Sequence, residues 1–162
     1  MPNAHRFALS ALLVMGGAAL AGLIVALSTP RYAGARVPPA ASLPWPKAVA
    51  PSQRRPPFAL LYVASGCDHC SRAAVLVDSA VAAGRLNGFI ATSDERGIAD
   101  EYRQKLQLRR PLILDSGSVL LHALGTRAVP TLVLFHSDGT RQLVVGFMRD
   151  AQYRRVLEEF AR

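Results

Sequence analysis

The chain of 162 residues has only two cysteines, Cys67 and Cys70, and a single tryptophan, Trp45. Two cysteines cannot build the multi-bridge framework that holds together a small secreted domain with little core, so the fold must rest on an ordinary hydrophobic core. With two residues between them, they read as a reactive pair and not as a structural staple. Acidic residues are absent from Met1 to Pro57, where six bases stand: Arg6, Arg31, Arg36, Lys47, Arg54 and Arg55. All eleven acids lie between Asp68 and Glu159, against thirteen bases in residues 58–162. Most of the net charge of +8 therefore belongs to an N-terminal tail, and the remainder is close to neutral. A nucleic-acid face needs bases clustered on the fold itself, so no nucleic-acid partner is expected. The basic tail suits attraction to anionic lipid. Histidines are also few: His5, His122 and His136 form no second ligand pair to set beside the cysteines. That shortage speaks against structural zinc, and no metal or other cofactor is expected.

Charge is missing altogether from Phe7 to Ser28, a run of 22 residues. About 20 apolar residues span a bilayer as a helix, whereas a cleavable signal peptide has an apolar core of about 7–15. Residues 1–28 are therefore expected to be a single N-terminal transmembrane anchor, with Ala33-Gly34-Ala35 as the competing signal-peptidase site. Bases near the two ends of the span nearly balance, but a large domain after an N-terminal anchor is usually translocated. The domain is therefore expected on the non-cytoplasmic side of the membrane. Residues 29–57 hold eight prolines among many alanines. They are expected to form a semi-stiff extended linker that buries no core. Trp45 is left open between the head groups and the domain.

Residues 58–162 alternate in period. Phe58 to Ser65 reads as a buried strand bounded by Pro57 and Gly66. Ala73, Leu76, Val77, Ala80 and Val81 share a helical face that stops at Gly84. Phe89 to Thr92 is a second strand, and Asp94 offers a cap for a helix whose Ile98, Tyr102 and Leu106 share a face. Leu112 to Leu114 is a brief strand, Ser118 to Leu124 a short helix, and Thr131 to Phe135 a strand. Gln142 to Val145 returns from it as a hairpin partner after the turn at Ser137–Thr140. Asp150 is expected to cap a last helix with Tyr153, Val156, Leu157 and Phe160 inward. The order β-α-β-α-β-α-β-β-α predicts an α/β fold, a central mixed sheet flanked by helices.

Cys67-Asp68-His69-Cys70 falls where the first strand meets the first helix. A cysteine there faces unpaired backbone N–H groups and the positive end of the helix dipole, and both favour thiolate, the form that attacks a disulfide. Cys67 is the expected nucleophile, and Cys70, one turn in, the resolving thiol. Val129-Pro130 stands directly before an apolar strand, where a proline needs a positional reason.

These residues resemble the thioredoxin superfamily, and within it the membrane-tethered TlpA/ResA/CcmG group. The match lies in Gly66-Cys67-Asp68-His69-Cys70, in the block from Leu112 to Arg141 with its Asp-x-Gly, Val-Pro-Thr and Asp-Gly motifs, and in Gly146. It covers roughly residues 58–162. The resemblance implies a thioredoxin-like fold, a cis Pro130, and a Val129 backbone that pairs with extended substrate. It also implies thiol–disulfide oxidoreductase activity on the thiols or disulfides of exported proteins, including apocytochrome c, with a membrane electron donor or acceptor. This chain departs from the pattern: Gly66 stands where Trp is usual, and Leu61 stands where thioredoxins bury a carboxylate. His69 before the second cysteine is similar to oxidising members of the superfamily and is read as a redox tuner. Asp68 opposes it as a nearby carboxylate, and also reads as an ordinary helix-start charge. His122, Arg109-Arg110 and Tyr62 read as solvated or core residues. Two alternatives remain: a Sco-like copper-binding module, whose cysteines are normally spaced CxxxC, and a low-turnover assembly factor that keeps only the fold.

Overall fold

The computed structural model describes residues 37–147 and 149–162. The expected anchor at residues 7–28 lies outside the described residues, and among those described no helix is long and apolar enough to cross a membrane. Five strands form one sheet: β1 (Phe58–Val63), β2 (Gly88–Thr92), β3 (Ile113–Leu114), β4 (Thr131–Phe135) and β5 (Arg141–Val145). Their spatial order is β3-β2-β1-β4-β5. The β1–β2 and β2–β3 pairs are parallel, while β1–β4 and β4–β5 are antiparallel, so the sheet is mixed. Four helices complete the domain: α1 (Asp68–Ala82), α2 (Arg96–Lys105), α3 (Val119–Ala123) and α4 (Asp150–Phe160).

Every residue of β1 is fully buried. Ala59, Leu61 and Val63 face one core layer, and Phe58, Leu60 and Tyr62 the other. A central strand covered on both faces reads as a continuous apolar run. The first layer holds α1, through Ala73, Val77, Ala80 and Val81, and α4, through Tyr153 and Leu157. Helix α1 ends in a left-handed glycine: Gly84 has φ +69°, its N–H donates to Val81 O, and the N–H of Arg85 donates to Ala80 O. This pair of bonds satisfies carbonyls that the helix end would otherwise strand.

The second layer corrects the expected linker. Helix α3 is five residues long and offers Leu120 and Leu121, which cannot cover the face of five strands. Val37, Ala40, Leu43, Trp45 and Val49 cover the rest and are all buried. Trp45 lies 5.8 Å from Phe58 and 5.7 Å from Phe89 between ring centroids, and its Nε1–H donates to Ala40 O at 2.7 Å. Arg54 stacks over the same indole and donates to Val49 O. The described part of the 29–57 stretch is thus a layer of the domain. Proline-rich chain is extended, but extended chain packs as readily as it solvates when a sheet face lies open.

Two smaller expectations also change. Helix α2 starts at Arg96 after Glu95, so its inward residues are Ala99 and Tyr102, and Ile98 stands 46% exposed. Asp94 is not the cap of α2, because its carboxylate is engaged elsewhere. Asp150 is in the first turn of α4, after the cap position Arg149.

Candidate functional site

Cys67 is the N-cap residue of α1, with extended backbone at φ −113° and ψ 109°. Its Sγ accepts the N–H of Cys70 at 3.1 Å, and its carbonyl accepts from the N–H groups of Cys70 and Ser71. The apolar strand β1 drives straight into the core and releases the chain at Ala64, so the first helical turn opens beside the sheet's edge of loops. Cys67 and Cys70 are joined as a disulfide, with Cα atoms 5.2 Å apart. Cys70 is fully buried in the same core layer as Ala73 and Ala74, while Cys67 is half-buried.

Asp68 and His69 occupy the first turn of α1 and are both exposed. The His69 imidazole is stacked on Phe147, centroids 5.8 Å apart and planes 18° apart. Phe147 in turn lies against Tyr153 of α4 at 5.2 Å. Tyr153 is buried with its hydroxyl unpartnered, and burial drives its pKa far above the usual phenol value.

Val129 and Pro130 precede β4. Thr131, the next residue, is in register with Tyr62 of β1, so the Val129–Pro130 bond lies at the end of β1 that leads to Cys67. The bond is cis. Pro130 is buried and its carbonyl accepts the N–H of Gly146 at 2.8 Å. Gly146 has φ +84°, a conformation that admits glycine at little cost, and this bend delivers Phe147 toward His69. The sheet topology therefore brings the CxxC turn, the Pro130 loop and the Phe147 loop to one end of the central strands. His122 and the Arg109-Arg110 side chains are exposed and belong to other parts of the surface.

The roles of three residues escaped the sequence reading. Asp94 accepts the N–H of Ser65, two residues before Cys67, at 2.8 Å. Asp115, 3% exposed, accepts the Tyr62 hydroxyl at 2.7 Å and the N–H groups of Leu120 and Leu121 that open α3. Burial, first, and Asp115, second, push the Tyr62 phenol far up. Phe147 was unmarked in the sequence. Asp115 carried a signal as the first residue of the Asp-x-Gly motif, and Asp94 carried one only as a helix cap, a role it does not fill. Among the described residues no three His, Cys, Asp or Glu side chains cluster as metal ligands would.

No protein-family profile matches the chain, and no curated protein matches it. Solved structures do. MTB DsbF, captured in mixed oxidized and reduced forms, is 17% identical with a TM-score of 0.57, over 64% of this chain and 79% of that one. A secreted Mycobacterium tuberculosis disulfide oxidoreductase homologous to E. coli DsbE is 18% identical with a TM-score of 0.56, over 63% and 80%. StoA from Bacillus subtilis is 20% identical with a TM-score of 0.52, over 65% and 81%. At these identities the likeness is one of fold, and the fold is the thioredoxin fold.

Proposed function

We propose, from the thioredoxin fold as premise, that this protein exchanges thiols and disulfides with exported proteins through Cys67 and Cys70. In this reading residues 7–28 anchor it in a bacterial inner membrane, the domain stands on the periplasmic side, and cytochrome c maturation is a fitting setting. The observation that carries the reading is the place of Cys67 Sγ: at the cap of α1, half-exposed, accepting a backbone N–H, with Cys70 buried within disulfide reach. A sulfur so placed is stabilised as the anion.

In the reducing direction, the Cys67 thiolate attacks one sulfur of a substrate disulfide and expels the other as thiolate. Cys70 then loses its proton and attacks Cys67 Sγ. The second substrate thiolate leaves, and the Cys67–Cys70 disulfide remains. Two electrons pass to the substrate, whose two sulfurs take up the proton of Cys70 and one from water. A dithiol donor in the membrane must then restore the cysteines; an oxidase runs the same steps backwards. The Val129 main chain is the expected contact for extended substrate, and His69, held against Phe147, the expected tuner of the Cys67 anion. The grooves of about 600 Å³ at Val81, Ile90 and Leu112, and of about 470 Å³ at Arg54, His136 and Arg141, line neither cysteine.

The test is a trap. A full-length Cys70→Ser variant should accumulate mixed disulfides with exported proteins that dissolve in dithiothreitol, and Cys67→Ser should accumulate none. Two empty traps contradict exchange. Stoichiometric Cu(I) uptake without insulin reduction would install the copper-binding alternative, and inactivity in both assays the low-turnover assembly factor. A couple well below about −200 mV marks a reductant and one near −120 mV an oxidant.

A further inference from the structure

β1 is apolar from Phe58 to Val63 and brings no acid to the cysteines. Its continuation, Ala64-Ser65-Gly66, belongs to no strand or helix, yet it must hold Cys67 at the cap of α1. Among the described residues two hydrogen bonds hold this turn. One is local, from Cys67 N–H to Ala64 O at 3.3 Å. The other crosses the chain, from Ser65 N–H to Asp94 Oδ2 at 2.8 Å. Gly66 adds no packing: it is exposed, and nothing lies within 4 Å of where a Cβ would stand.

Asp94 is itself fixed from the buried side. The same Oδ2 accepts from Thr92 Oγ1 at 2.9 Å, and Asp94 N–H donates back to that hydroxyl at 3.1 Å. Thr92 is fully buried at the end of β2, in register with Val63 at the end of β1. The turn before Cys67 is thus tied to the end of the β1–β2 ladder through one carboxylate.

We infer that Asp94 is the positioning carboxylate of this site: by holding the Ser65 amide it fixes the turn that presents Cys67 to the N–H groups of α1. The inference rests on the exchange reading, since fixing Cys67 matters only if its anion works. Asp94 is half-buried, so solvent screens its repulsion of a thiolate at Cys67, and the loss of the tether outweighs the loss of the charge.

The experiment is the pH profile of iodoacetamide alkylation of the reduced full chain in detergent, for wild type, Asp94→Asn and Asp94→Ala. Cys70 is buried, so the profile reports Cys67. Asp94→Ala should shift the acid limb toward free cysteine and slow alkylation below pH 7 by about tenfold, the effect of about one pKa unit. Asp94→Asn keeps an oxygen for Ser65 N–H and should stay within about twofold of wild type. Far-ultraviolet circular dichroism and thermal melting establish that each variant is folded at the assay temperature. A folded Asp94→Ala that superimposes on wild type overturns the inference, as does Asp94→Asn behaving like Asp94→Ala. A wild-type profile already at the free-cysteine position sinks the exchange reading instead, so the two failures are distinct.

Discussion

Cys67 takes a position that helices usually give to Ser, Thr, Asp or Asn. A neutral thiol caps poorly, but a thiolate is an anion at the end where N–H groups and the dipole collect. On the exchange reading, the choice of residue weakens the helix start in one redox form in return for a reactive sulfur. Asp115 shows the opposite use of a buried polar group. It satisfies the Tyr62 hydroxyl and two amides of α3 at once, which makes it structural. Asp115→Ala leaves three donors without that acceptor and should cost about 3–5 kcal/mol in urea unfolding, while Asp115→Asn should cost about 1–2. Cys67 and Cys70 were legible as a pair, which the structure joins as a disulfide, because their spacing is self-contained. Sequence reading missed the role of Asp94, because a helix-cap signal is local and the partners, Ser65 and Thr92, are set by the fold.

At the scale of elements, periodicity marked what is regular. The apolar run of β1 and the face Ala73–Val81 of α1, closed by Gly84, were legible because burial repeats at the period of the element. The segment 37–57 was not. Its five buried residues follow no period, and its prolines describe backbone shape, not whether that shape is wet or packed. Its energetic weight is testable. Trp45→Ala removes an indole that lies on Phe58 and Phe89 and should destabilise the domain by about 3–5 kcal/mol in chemical denaturation. A chain shortened to begin at Phe58 should lose cooperativity or fold only partly, because α3 alone cannot cover the second face of the sheet. A truncated chain as stable as the whole would refute the docked layer.

At the scale of the whole molecule, β1 is central, and parallel β2 and antiparallel β4 flank it. That topology gathers the cysteine turn, Pro130 and Phe147 at one end. Alternating strands and helices with a closing hairpin announced the mixed sheet, but the strand order came only with the structure. Three buried phenols give the molecule a pH limit. Tyr62, Tyr102 and Tyr153 all titrate above the ordinary 10.0, chiefly through burial. The unfolded chain releases these protons first, so their contribution is whole below about pH 10 and falls as pH climbs toward the folded values. Urea midpoints should be flat from about pH 7 to 9 and drop steeply near pH 11. Tyr153→Phe deletes a hydroxyl that has no partner, so it should hold or raise stability at pH 7 and soften the alkaline drop.

The central claim is that α1 makes Cys67 an anion at working pH. Its most direct measurement is the ultraviolet thiolate absorbance of the reduced protein, titrated with pH, with Cys70→Ser present to isolate Cys67. The account predicts ionisation well below the ~8.5 of free cysteine. A Cys67 that ionises at or above that value would contradict it.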